Sequence, residues 1–292
     1  VVELQNATPI FVDVDSNTGN ISIKELEKIS KKYPLKAIIP VHYLGLPCEM
    51  KEINDLAALN DSLVIEDCAL ALDGKYDNKN AGNLGHCGSF SFYPVKHMTS
   101  IEGGMVTTNN DNFANLIKKS RAFGYNKELG QRSRPGIYDV DLLGFNYRMN
   151  EVEAAVGLTQ LEKLDSMQLA RKNNFELLRK NLIDISVLKT FPSINNKSKS
   201  SHYCFNIVVK KEANFSRNEL QDFLKESGIG TSIHYPSSVP LFSYYGSKYG
   251  YKKGDFPNAD YFGENTISLP IAPHVKIDDI NYISEKLHQF VS

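Results

Sequence analysis

Ser62-Leu63-Val64-Ile65-Glu66-Asp67 is a short apolar run that ends in two acids. Runs of this kind read as strands. Upstream of it, Met50–Leu59 has helical spacing and Ala37–Tyr43 (AIIPVHY) is another short strand of the buried type. Ser22–Lys32 carries Ile23, Leu26 and Ile29 on one face, with Ser22 as N-cap and Glu25 completing a capping box. Pro9–Asp15 (PIFVDVD) reads as a strand. Downstream, Gly88–Pro94 and Met105–Thr108 are two more strands, and Asp111–Phe123 is a helix capped by Asp111. Short apolar strands alternating with amphipathic helices predict an α/β unit, with a mostly parallel sheet covered on both faces.

Beyond that unit the pattern changes. Gly124–Asn146 is rich in Gly, Arg and Asp and reads as a long irregular loop, a kind usually tied to function. Asn150–Leu182 is expected to form one long bridging helix, with Val152, Val156, Leu158, Leu161, Leu164, Leu169 and Leu177 at helical spacings. The remainder reads as a smaller α+β unit. Its strands are His202–Val209, Thr231–His234 and Ile267–Leu269, and its helices are Ser216–Lys225, capped by Ser216, and Lys276–Phe290. The expected domains are 1–160, large, and 161–292, small and C-terminal.

A length of 292 residues suits two domains. Lys plus Arg number 33 against 34 Asp plus Glu, so no basic excess points to nucleic acid or an anionic membrane. Apolar runs reach about five residues, where a membrane helix needs roughly 18. The chain opens on no signal peptide, and its four cysteines lie far apart with no Cys-x-x-Cys pair. No metal site is expected, and a reducing cytoplasm fits.

Asp67 closes a strand, and ligands of open α/β sheets sit at the carboxyl ends of strands. An acid there is either a cap of the next helix or the partner of a buried cation. Lys96 follows the next strand in the same way. Alone it is a surface lysine with a packed stem, but it shares the inferred sheet edge with Asp67, Ser91 and Glu102-Gly103-Gly104. The glycines allow close backbone approach to a ligand or form a plain turn. An acid, a lysine and a hydroxyl for phosphate describe a pyridoxal phosphate site. There the acid keeps the pyridine nitrogen protonated and the lysine forms the Schiff base.

Ile65-Glu66-Asp67-Cys68-Ala69-Leu70-Ala71, then Phe90-Ser91-Phe92-Tyr93-Pro94-Val95-Lys96, then Glu102-Gly103-Gly104, resemble the DegT/DnrJ/EryC1/StrS sugar aminotransferases. So do Pro40-Val41-His42-Tyr43-Leu44-Gly45, Gly144–Glu151 (GFNYRMNE) with Ala154-Ala155, Ile229–Tyr235 (IGTSIHY) and Ser268-Leu269-Pro270. The motifs run in family order over nearly the whole chain. The resemblance implies a large domain of the aspartate-aminotransferase type, with the smaller domain behind it. It makes Lys96 the Schiff-base lysine and Asp67 the partner of the pyridine nitrogen. It packs Ala69 on the ring, gives Ser91 the phosphate, and has Asn146 reach the phosphate of the neighbouring subunit in a homodimer. His234 and Tyr235 fall where the family contacts substrate, or are a strand-end aromatic pair. The implied reaction moves an amino group from an amino acid, glutamate by expectation, to a nucleotide-linked keto-deoxysugar. A dehydratase branch has His in place of the lysine, so His97 beside Lys96 makes the register worth checking.

Three departures stand out. Leu70 occupies the usual place of a Gln that bonds the cofactor's phenolic oxygen, a loss of roughly 1 kcal/mol. Val239 replaces a second His beyond His234. The family's first segment, with the phosphate-cupping helix start and the ring-stacking aromatic, has no counterpart here. The chain is therefore expected to be N-terminally truncated and to bind the cofactor weakly. That expectation keeps a second class open, a non-catalytic pyridoxal-fold binding protein or inactive fragment. A third, a plain nucleotide-binding α/β domain, lacks a G-x-G-x-x-G after any strand.

Overall fold

A computed structural model describes residues 1–127, 130 and 133–292. Residues 128, 129, 131 and 132, part of the expected Gly124–Asn146 loop, lie outside the described residues. The first half comprises α1 (Ile23–Lys32), β1 (Ala37–Ile38), α2 (Met50–Leu59), β2 (Leu63–Asp67), β3 (Lys75–Tyr76), β4 (Lys79–Asn80), β5 (Cys87–Ser91), β6 (Gly104–Thr107) and α3 (Asp111–Ser120). The helices α4 (Glu151–Leu161) and α5 (Leu164–Asn181) follow. Then come β7 (Leu188–Thr190), β8 (Ile194–Asn195), β9 (Ser198–Lys199), β10 (Phe205–Val209), α6 (Arg217–Glu226), α7 (Ser243–Tyr249), α8 (Pro257–Asn265), β11 (Thr266–Leu269) and α9 (Ile277–Val291).

The first sheet has the order β1-β2-β5-β6, parallel except for β6. Asp67 lies opposite Ser89, so the carboxyl ends of β2 and β5 emerge side by side. Leu26, Ile38, Met50, Ile53 and Val64 bury the contact between this sheet and the helices α1 and α2. The second sheet, β11-β10-β7, is antiparallel. All of β10 is buried, and Phe205, Ile207, Leu178, Leu220, Leu224, Ile280 and Leu287 join it to α5, α6 and α9 in one apolar core.

A third sheet, β4-β3-β9-β8, is two hairpins paired through β3 and β9, one from each half of the chain. Sequence periodicity cannot reveal strands this short. Asp77 and Asn78 hold positive φ (49° and 62°), as a two-residue type I′ turn requires.

Several local expectations are corrected. Pro9–Asp15 is not a strand; Val14 forms one bridge with Ile21. The segment crosses to the C-terminal half instead. Phe11 packs edge-on against Tyr245, Tyr251 and Phe256, and the Asp13 carboxylate accepts the Asn258 and Ala259 amides at the start of α8, at 3.2 and 3.0 Å. An acid there complements the positive end of the helix. Ser22 caps α1, but the capping box is half made, because the Ser22 N–H donates to Asp13 O and Glu25 pairs with Lys28. Asn110, not Asp111, caps α3. The expected long helix is two, since a tight turn with Lys163 N–H on Gln160 O closes α4 before α5 starts. Thr231–His234 contributes one bridge, Ser232 to Ser268, rather than a strand. Among the described residues no helix is long and apolar enough to cross a membrane.

Candidate active site

Alternation along β2 sends Glu66 to one face and Asp67 to the other. On the closed face, Glu66 and His42 are both fully buried, with His42 Nε2 2.9 Å from Glu66 Oε2. The Cys48 N–H donates to His42 Nδ1 at 3.1 Å, so Nε2 carries the proton and donates to the carboxylate. Three amides, Gly82, Leu84 and Gly85, also donate to Glu66 at 2.7–2.8 Å. Burial works to raise its carboxyl pKa, but the His42 bond and the amides outweigh it and hold it below the usual value. Cys68 lies close to this pair and would complete a ligand set for a metal ion. Both ring nitrogens and both carboxylate oxygens are already engaged, so the cluster is a structural lock. It holds the end of β2, where the Asp67 N–H bonds Pro40 O and the Asp67 O accepts from the His42 N–H.

On the open face, Asp67 Oδ1 accepts the Ala69 N–H at 3.0 Å. The segment after it is a turn, not a helix, so Asp67 is no helix cap. Lys96 sits in the turn after β5, its N–H on Tyr93 O, with Nζ 5.4 Å from the Tyr203 ring centroid. Burial pushes the Lys96 amine below its ordinary pKa, and the Asp67 charge acts against that push. His97 points the other way. It is 3% exposed and donates from Nε2 to Ser201 O, and burial, with Arg171 nearby, pushes it down to about 3. Lys96 therefore lies where the Asp67 charge is felt, and His97 belongs to the core.

His234 and Tyr235 come from the second half to the same place. The His234 ring meets the Tyr203 ring at 5.9 Å, and its Nδ1 lies 2.7 Å from Ser268 Oγ. Burial lowers the His234 pKa, and Lys96 adds to the effect. Burial raises the Tyr235 phenol, helped by the Asp67 charge. The Tyr43 hydroxyl donates to the His234 carbonyl and so ties the two halves.

Asp67, Ala69, Lys96, His234 and Tyr235 are thus brought together. Ser91 ends β5 on the same edge, its Oγ accepting the Tyr93 N–H at 3.4 Å. Asn146 is exposed on the stretch that bridges to Ala122, and among the described residues no hydrogen bond or ion pair links it to the cluster. The Gly103-Gly104 pair serves backbone packing: a Cβ on Gly104 would stand 2.6 Å from Phe90 O, and one on Gly103 2.4 Å from Ser100 Oγ. Leu70 is buried, its carbonyl accepting the Ser201 hydroxyl. Tyr203 was not read from the sequence as a site residue, and Tyr43 only as part of a resemblance motif. The only signal for Tyr203 is its place shortly before the largely apolar run Phe205–Val209.

Residues 1–288 match the DegT/DnrJ/EryC1/StrS aminotransferase family. The Bacillus subtilis spore coat polysaccharide biosynthesis protein SpsC is 34% identical over 98% of this chain and 74% of its own length. GDP-perosamine synthase of Escherichia coli O157:H7 is 32% identical over 100% of this chain and 75% of its own. Among solved structures, Helicobacter pylori PseC, an aminotransferase involved in the biosynthesis of pseudoaminic acid, superposes with a TM-score of 0.90. It is 25% identical over 99% of this chain and 75% of that one.

Proposed function

Because the chain belongs to the DegT/DnrJ/EryC1/StrS aminotransferase family, whose enzymes depend on pyridoxal phosphate, we propose that it moves an amino group from glutamate to the keto carbon of a nucleotide-linked deoxysugar. The sugar nucleotide is suggested by the name of the GDP-perosamine relative. The non-catalytic alternative is not favoured by relatives of this kind.

The observation that carries the proposal is the meeting of Lys96 and Asp67 on the open face, each half-buried and close enough for charge to be felt. Those residues fit the cofactor. Lys96 offers an amine whose neutral form is favoured by burial. Asp67 keeps Oδ2 without a hydrogen-bond donor among the described residues, and Ala69 adds only a methyl beside it. When bound, pyridoxal phosphate supplies an aldehyde carbon for an amine and a ring that draws electrons from it. Asp67 would pair with the protonated ring nitrogen. Lys96 Nζ would take the proton from the substrate carbon and return it, as general base and acid. Ser91 Oγ is assigned to phosphate, with Asn146 reaching it from the neighbouring subunit of a homodimer. The exposed apolar side chains Met105, Val106, Val152, Leu158 and Leu161, on β6 and α4, support such an interface. In this reading 1–160 binds the cofactor and 161–292 closes over the substrate.

Addition of pyridoxal phosphate should give a visible absorption band that glutamate removes. Borohydride reduction before glutamate is added, followed by peptide mapping, should find the pyridoxyl group on Lys96. A label on another lysine, or a band insensitive to glutamate, would overturn the assignment.

A further inference from the structure

Beneath His234 lies a directed chain of hydrogen bonds. The Tyr43 hydroxyl spends its proton on the His234 carbonyl. The phenol oxygen can then only accept, and the Asn206 amide stands beside it, working against the burial that pushes this phenol up. Asn206 is 2% exposed, and its Nδ2 has no hydrogen bond of ordinary geometry among the described residues. A nitrogen on the Tyr43 side is the orientation that avoids setting two acceptors against each other. Oδ1 then faces Ser268 and Cys204, and it accepts from Ser268 Oγ at 2.7 Å and from the Cys204 thiol at 3.2 Å. A hydroxyl has one proton to give. Ser268 has given its own to Asn206, so across the 2.7 Å contact with His234 Nδ1 the ring must be the donor.

We infer that Asn206, acting through Ser268, fixes His234 as the Nδ1–H tautomer and leaves Nε2 as a bare acceptor for an O–H or N–H hydrogen of the substrate. The ring lies in the right place for this, since Tyr203 touches both the His234 ring and Lys96 Nζ. Nε2 has no protein hydrogen-bond partner among the described residues, and the ring and the Lys96 amine lie against the same tyrosine. Asn206 and Ser268 are positioning residues, since they act on the substrate only through His234. The tautomer is independent of the transaminase reading. The identity of the donor rests on it, either a sugar hydroxyl or the ammonium of the amino acid.

The test is nitrogen NMR of the chain labelled with 15N-histidine, with the His234 signals identified by their loss in His234→Gln. At neutral pH, Nδ1 should show the shift of a protonated nitrogen and Nε2 that of an unprotonated one. Ser268→Ala should turn this into a mixture of tautomers, and Ser268→Thr, which keeps the hydroxyl, should restore it. A protonated Nε2 in the unaltered chain, or no change in Ser268→Ala, would overturn the inference. Kinetics supply the second arm. Ser268→Ala should raise one KM about tenfold with kcat nearly kept, the size of one lost hydrogen bond. A rise in the keto-sugar KM identifies a sugar hydroxyl, and a rise in the glutamate KM identifies the ammonium. If neither moves while the tautomer does, Nε2 is not a substrate acceptor. Loss of the glutamate-dependent spectral change in the unaltered chain would instead refute transamination and leave the nitrogen shifts to be read as before.

Discussion

Glu66 and Asp67 are neighbours on one strand, yet their surroundings differ in kind. Glu66 faces a closed interior in which every oxygen has a donor. Asp67 faces an opening where one oxygen has the Ala69 amide and the other has no protein donor among the described residues. Lys96 and His97 repeat the contrast one strand away. His97 has a carbonyl partner in the core, while the Lys96 amine rests on the face of Tyr203 with no ion-pair partner among the described residues. In these two pairs the polar groups that hold the backbone are fully satisfied, and those on the open face keep capacity that a ligand would match.

The contrast is open to direct attack. The largest effect is expected from Lys96→Ala, which should lower transamination by about 10⁴-fold or more while leaving the melting temperature nearly unchanged. A matching loss of stability would place Lys96 with the closed side. Asp67→Asn should follow, with a fall in turnover of roughly 10²–10⁴-fold and a far smaller change in cofactor affinity. Normal turnover would reduce Asp67 to a holder of its turn. On the closed side, Glu66→Gln sets an amide N–H against existing donors and should cost about 3 kcal/mol in urea unfolding. A cost below about 0.5 kcal/mol would place Glu66 among ordinary surface positions and dissolve the comparison.

The smallest effect per residue concerns acid. His97 and His202 are held at about 3 and about 4 against an ordinary 6.5, chiefly by burial. The unfolded chain therefore binds protons that the folded chain refuses. Their contribution is complete above pH 6.5 and is lost as the pH falls toward the folded values, up to about 2 kcal/mol from each by pH 5. Urea unfolding at pH 7 and pH 5 measures the loss, and His97→Gln, which keeps a donor for Ser201 O, should remove one share of it. An equal loss in that variant would show that His97 is not the group being protonated.

The nearness of the candidate groups Asp67 and Lys96 was legible because strand ends announce themselves. Asp67 and Lys96 each follow an apolar run, and parallel pairing of β2 with β5 brings the two ends together. Helices with strong one-sided patterns, such as α2 and α6, were legible to within a residue. The strand expected at Pro9–Asp15 has the right composition, but its acid is drawn to the start of α8, a contact no local pattern encodes. The break at Lys163 is silent for the same reason, since the apolar spacing runs on across it. Glu66 looked like half of an acidic strand end. Only alternation along the strand, taken with its partners His42 and Gly82, separates it from Asp67.

The ties between the two halves have a consequence for the covalent chain. Asp13 on α8, β3 on β9 and Tyr43 on His234 each join a residue before position 124 to one after position 146. Most of the described residues between those positions are exposed, including Gly136 and Ile137. The ties are expected to hold the halves together without that connection. A protease that nicks the chain at Gly136-Ile137 should yield two fragments that remain one particle, two bands in denaturant and a single species without it.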